Sequence, residues 1–142
     1  MSSLQYLIYL STPSVDLAID DIHMIGKVSI KKNDIRGITG LLLMLDGYFL
    51  QYIEGAPKVV EKLMLKISGD PRHDKVMVIS SGKIEERLFP LWNMCTNEEL
   101  LKKAILSMHD EVKKDDEHFM AISILAGMIR SQGYLADLKP SE

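Results

Sequence analysis

The sequence predicts an α+β domain of the ferredoxin-like kind. It would be a βαββαβ(β) sandwich with two helices over one face of the sheet and two C-terminal helices over the other. Three observations carry this reading. The chain opens strand–helix–strand, a hairpin occupies its centre, and a further helix–strand pair follows. A strand, a crossover helix and a parallel strand form a right-handed unit, and a hairpin after it completes the split βαβ order.

The first strand is Leu4 to Ser11, with Leu4, Tyr6, Ile8 and Leu10 on one face and Gln5, Leu7, Tyr9 and Ser11 on the other. Thr12-Pro13-Ser14 is a turn, and Ser14 is placed to cap a helix that runs to about Lys31. Ala18, Ile22 and Ile25 give that helix its apolar spacing, and Lys32-Asn33-Asp34 breaks it. The segment Gly37 to Gly55 then reads as two strands joined by Asp46-Gly47, a strong hairpin signal. Leu41 to Leu45 is continuously apolar and Tyr48 to Ile53 nearly so, as suits a sheet covered on both faces.

Pro57 fits a first helical position, Val60, Leu63, Met64 and Ile67 form the buried stripe, and Gly69 closes the helix. Asp70-Pro71-Arg72-His73 leads into a strand from Val76 to Ser80. Gly82 to Arg87 reads as a polar connection, and a short strand lies around Leu91 to Cys95. In the tail, Leu100, Ala104, Met108 and Val112 repeat at four residues before the polar run 113–117. A last helix from about His118 to Gln132 offers Ile122, Leu125 and Ile129, with Gly133 as its expected stop.

Composition narrows the functional classes. A chain of 142 residues is of single-domain size, and 46 % hydrophobic content is enough for a core. The net charge of −3 gives no general electrostatic case for nucleic acid. No apolar run approaches the ~20 residues of a membrane span, and the N-terminus lacks the marks of a signal peptide. A single cysteine, Cys95, excludes an internal disulfide and fits a reducing cytoplasm. The nine methionines suit adaptable core packing.

Familiar catalytic constellations are missing: there is no Gly-rich phosphate loop, nucleophile elbow or C-x-x-C pair. His23, His73, His109 and His118 are scattered, so no metal site is expected. Asp20-Asp21 and Asp115-Asp116-Glu117 read as solvated faces. The informative residue is Gln51, on the face of its strand that also carries Phe49 and Ile53. An amide among apolar neighbours either pairs with protein or water, or faces a ligand. Tyr9, Trp92 and Met94 can project to the same side, and Asn33 ends the first helix near it. Together these groups suit a planar heterocycle with a polar edge, with Ile25 and Ile67 against its faces. Lys66, Arg72 and His73 are set to pair phosphates beyond it.

These residues sit in recognisable runs: Tyr9-Leu10-Ser11, Asn33, G-I-T-G-L-L with F-L-Q-x-x-E-G, D-P-R-H from Asp70, and F-P-x-W-x-M from Phe89 to Met94. Over residues 4–96 the chain resembles the BLUF family, blue-light sensors that use FAD. The resemblance implies FAD as cofactor, with FMN or riboflavin as partial substitutes, and the ring held between the two helices. Tyr9 would be the electron and proton donor and Gln51 the amide that rearranges on excitation. Ile25, Ser29, Lys32, Asn33, Phe49 and Ile67 would line the ring, and Lys66, Asp70, Arg72 and His73 its ribityl and phosphate end. Trp92 and Met94 would relay the change. Lys66 stands where many members carry arginine, which keeps the charge but loses the planar fork. Arg36 stands where asparagine is also found.

The resemblance divides the chain into a photosensor core at 1–96 and a helical cap, dimerisation and output segment at 97–142. The tail around Ser131-Gln132-Gly133 resembles the linker helices of photoactivated adenylyl cyclases, which implies a homodimer through those helices. It also implies either a stand-alone sensor with a downstream protein partner or a module excised from a cyclase-type protein. The competing expectations are a flavin-dependent oxidoreductase or an acylphosphatase-like hydrolase on the same fold, and a dimerisation module that binds no flavin.

Overall fold

The computed structural model describes residues 3–13, 37–45, 48–69, 73–89, 93–95 and 98–138. The chain divides into two compact units, Met1–Thr96 and Asn97–Glu142. In the first, strands β1 (Leu4–Pro13), β2 (Thr39–Leu45) and β3 (Tyr48–Gly55) precede helix α1 (Pro57–Ser68). Strands β4 (His73–Ile84) and β5 (Asn93–Cys95) follow. The sheet order is β4-β1-β3-β2-β5. β3 is antiparallel to both β1 and β2, so those two are parallel with β3 inserted between them, which is the split βαβ arrangement. The expected first helix and the Asp46-Gly47 turn lie outside the described residues.

Alternation along the strands makes two faces. Leu7, Tyr9, Ile38, Leu42, Phe49 and Ile53 form one apolar cluster with Val60, Leu63 and Ile67 of α1. Tyr6, Ile8, Leu41, Leu43, Leu50 and Tyr52, from the opposite set of positions, are buried as well. That explains why β2 and β3 read as almost unbroken apolar runs. α1 has the expected bounds: Pro57 sits in its first turn and Gly69 caps its end. Gly40 is a steric necessity. Its φ is +152°, and a Cβ there would lie 1.9 Å from the Tyr52 carbonyl oxygen on β3.

The outer strand differs from expectation. β4 runs from His73 to Ile84, so the polar stretch begun at Gly82 is strand for three residues and the loop starts later. Its pairing with β1 shifts between Ile8 and Tyr9 and again between Leu10 and Thr12, and Lys75 takes a positive φ of 48° near the second shift. Two irregularities on an edge strand scramble the period-two pattern and leave Met77 and Val78 exposed, which is why only its middle was legible. β1 likewise runs two residues further than expected, to Pro13. β5 is three residues long and pairs parallel with β2.

In the second unit, α2 (Glu98–Glu111) packs on α3 (Phe119–Leu138). Among the described side chains of α2, Leu101 and Ile105 are buried and Ala104 and Met108 half-buried, as is Val112 just after it. A strict four-residue repeat drifts about 40° per step around a helix of 3.6 residues per turn. The buried stripe therefore passes through 101 and 105 toward 108 and 112. Ala121, Ile122, Leu125, Ala126 and Ile129 are buried on α3. Gly133 does not stop that helix, which continues to Leu138. An interior glycine costs only about 1 kcal/mol, and the residues after it are helix formers. Arg130 joins the two helices, with Nη1 2.7 Å from His109 Nδ1 and Nη2 donating to Asp110 Oδ1 at 3.3 Å. Residues 113–117 between them are exposed. Among the described residues, no helix is long and apolar enough to cross a membrane.

Candidate functional site

The site grows from one cross-strand pair. The β1–β3 register sets Tyr9 directly opposite Gln51, and the β2–β3 register sets Leu42 on its other side. The Tyr9 hydroxyl donates to Gln51 Oε1. Both residues are buried, Tyr9 to 1 % exposure and Gln51 to 5 %. Of the two fates open to a buried glutamine, the amide oxygen thus meets a side chain of the protein itself. An amide also carries two N–H donors, so a phenol–amide pair presents both donor and acceptor character within 4 neighbouring apolar walls, Leu7, Leu42, Phe49 and Ile53.

α1 completes the wall. Ile67, in its last turn, belongs to the same cluster, while the neighbouring Lys66 is exposed. Phe49, fully buried, lies two residues before Gln51 on the same strand face. The structure therefore brings together Tyr9, Gln51, Phe49 and Ile67. His73 is the first residue of β4, paired with Pro13, and so belongs to the sheet edge more than to the loop expected for it. Met94 lies in β5, between the residues paired with Gly40 and Leu41. Ile25, Ser29, Lys32, Asn33, Asp70, Arg72 and Trp92 lie outside the described residues. A phenol and an amide set among aliphatic and aromatic side chains fit the chemistry of a flavin, an apolar ring system with carbonyls and ring nitrogens along one edge.

A second polar constellation was not singled out from the sequence. Glu54 is fully buried, three residues beyond Gln51 and on the opposite face of β3. Four donors converge on its carboxylate. Tyr52 OH and the Leu88 N–H reach Oε1 at 2.8 and 2.7 Å, and Thr39 Oγ1 and the Phe89 N–H reach Oε2 at 2.8 and 2.9 Å. Arg87 encloses the group: Nη1 donates to Thr39 Oγ1 at 2.8 Å and to the Glu54 carbonyl at 3.2 Å, and Nη2 to the Gly37 carbonyl at 2.7 Å. Tyr52 stacks on Tyr6 at 5.8 Å and meets Phe89 edge-on at 5.2 Å. The signal that flagged Gln51, a polar residue in an apolar strand, applied equally to Glu54.

Comparison with known proteins agrees with this geometry. The family model described as "BLUF: Sensors of blue-light using FAD" matches residues 4–95. Photoactivated adenylate cyclase subunit beta of Euglena longa is 34 % identical over 102 residues, which is 70 % of this chain and 12 % of that protein. The chain thus spans about an eighth of the length of such relatives. A bacterial light-regulated adenylyl cyclase aligns with 96 % of this chain and 37 % of its own, at a TM-score of 0.65 and 33 % identity. The dark-state structure of BlrB, a BLUF protein, aligns with 92 % of this chain and 98 % of its own, at a TM-score of 0.68 and 28 % identity. With the split βαβ sheet, the buried Tyr9–Gln51 pair and a match over most of its length, the chain belongs to the BLUF family of blue-light sensors that use FAD.

Proposed function

We propose that this chain is a blue-light photoreceptor whose switch is the Tyr9–Gln51 pair, and that it turns over no substrate. The observation that carries the reading is the buried hydrogen bond from Tyr9 to Gln51 Oε1 within an apolar cluster. A bound flavin, FAD by preference with FMN or riboflavin as substitutes, supplies blue-light absorption and a transient electron acceptor. Ile25, Ile67 and Phe49 would hold its ring, with Ser29, Lys32 and Asn33 toward its edge. Lys66, Asp70, Arg72 and His73 would hold its ribityl and phosphate end.

Tyr9 gives up an electron and its phenolic proton on excitation and regains both as the dark state returns, so the cycle closes without net chemistry. Gln51 accepts from Tyr9 in the dark. Rotation or tautomerisation of its amide exchanges donor and acceptor ends without bulk movement. Each hydrogen bond so altered is worth ~1 kcal/mol, which biases a neighbouring element already poised between two arrangements. Trp92, Met94 of β5, and then the helices of residues 97–142 are the proposed output path. Dimerisation through those helices, a cytoplasmic setting, and a downstream partner or cyclase-type effector complete the proposal.

The test is an absorption spectrum of the purified protein before and after blue illumination. A flavin band that moves to longer wavelength and recovers in the dark supports the photosensor. A band that bleaches indicates flavin-dependent redox turnover, and a colourless protein indicates a module that holds no flavin. Either of those results refutes the reading.

A further inference from the structure

We infer that Glu54 is a positioning residue that ties the strand carrying Gln51 to the segment leading into β5, so that rearrangement on one face of β3 is felt at the last strand. The inference rests on the photosensor reading above. β3 is the shared part: Gln51 points to the α1 face and Glu54, three residues on, to the other. Glu54 accepts the backbone N–H groups of both Leu88 and Phe89, just four residues before β5 begins at Asn93. Arg87, immediately before them, holds the backbone carbonyls of Gly37 and Glu54 and the Thr39 hydroxyl. Thr39 opens β2, the strand with which β5 pairs. The connection between β4 and β5 is therefore fastened at residues 87–89 to the ends of both β2 and β3.

All of these contacts are charge-assisted or lie in a buried setting, where hydrogen bonds are strong and costly to leave half-made. A glutamine at position 54 keeps the size and one acceptor oxygen but sets an NH₂ group against two of the four donors. The Tyr52 hydroxyl can turn to accept from that NH₂, whereas the Leu88 N–H cannot. Losing this anchor leaves the Gln51 face untouched and frees the approach to β5 to move without it.

Trp92 is the only tryptophan of the chain, three residues after Phe89, so its emission reports this region without labelling. The experiment compares wild type with Glu54→Gln in the flavin-loaded protein, recording the flavin red shift and the light-minus-dark change of Trp92 emission together. The expected result is a normal red shift with the Trp92 response reduced about five-fold, the factor that one lost anchor of ~1 kcal/mol represents. An unchanged Trp92 response beside a normal red shift overturns the inference. Should Glu54→Gln fail to fold, Arg87→Met removes the outer fastening, leaves the buried carboxylate in place, and must lower the Trp92 response in the same direction. A wild-type response in that variant overturns the inference too. If the wild-type protein shows no red shift, the photosensor reading fails first and this inference falls with it.

Discussion

Replacing Tyr9 by phenylalanine removes a single oxygen from a residue that is 1 % exposed. The ring stays, so the cluster of Leu7, Phe49, Ile53 and Ile67 around it keeps its packing, and no cavity term arises. What goes is the bond to Gln51 Oε1. A net hydrogen bond contributes about 1 kcal/mol, and an acceptor left unmatched in a buried site raises the cost toward about 3 kcal/mol. For a unit spanning Met1–Thr96, each kcal/mol lowers the melting temperature by about 4–8 °C. Tyr9→Phe should therefore fold, stay yellow, and melt lower by roughly 4 °C at the low end of that cost and by about 20 °C at the high end, as followed by circular dichroism. Its photochemistry should vanish, because the proposed donor of the electron and proton is removed while the light absorber remains. A light-induced red shift of wild-type size in this variant would refute the switch mechanism, since nothing else at that position supplies a proton.

Three further substitutions test separate parts of the structure. Gln51→Ala should bind flavin and show no red shift on illumination; if the shift persists, Gln51 is not the switching group. Gly40→Ala should fail to give folded protein or lose several kcal/mol in urea unfolding, because its Cβ would sit 1.9 Å from the Tyr52 carbonyl oxygen with backbone on both sides. A stable Gly40→Ala protein would mean that β2 and β3 separate far more easily than their register suggests. Leu65, 77 % exposed on α1, is the contrasting case. Leu65→Ser should change stability by no more than about 0.5 kcal/mol, and a larger loss in the same unfolding assay would show that this face of α1 is covered in solution.

How much was legible in the sequence follows from which physical signal each element carried. β2, β3 and α1 were readable because their signals are strong and local: an Asp-Gly pair between apolar runs, and Pro57 and Gly69 around a helical stripe. The Tyr9–Gln51 pair was suggested by strand faces and by the BLUF resemblance, but which strands are neighbours is a topological fact, and only the β1–β3 register sets the two opposite each other. β4 was read short because an edge strand with two register shifts tolerates polar residues that a central strand would not. The residues beyond the expected end at Ser80 show it: Ser81, Gly82 and Lys83 read as loop chemistry while lying in the strand. Glu54 went unread for a different reason. A carboxylate in the middle of a sheet is expensive until four donors are assembled around it, and those donors come from positions 39, 52, 88 and 89, which no sequence window joins.

The two constellations on β3 divide stiffness from softness. In the proposed switch, an amide flip at Gln51 would change hydrogen bonds worth ~1 kcal/mol each. That is too little to pull apart a carboxylate held by four donors, so the segment 87–89 and the ends of β2 and β3 must respond as one body. β5 is held differently. It offers three residues, paired on one side to β2, with its register shifting between Gly40 and Leu41. Parallel pairing over so short a stretch provides few hydrogen bonds, and breaking one or sliding to the next is of the same energy as the flip. A signal that starts with one amide can therefore be spent only where the structure is equally weak. On the proposed reading, the four-donor clamp at Glu54 would keep that small energy from being dissipated in the connection before β5.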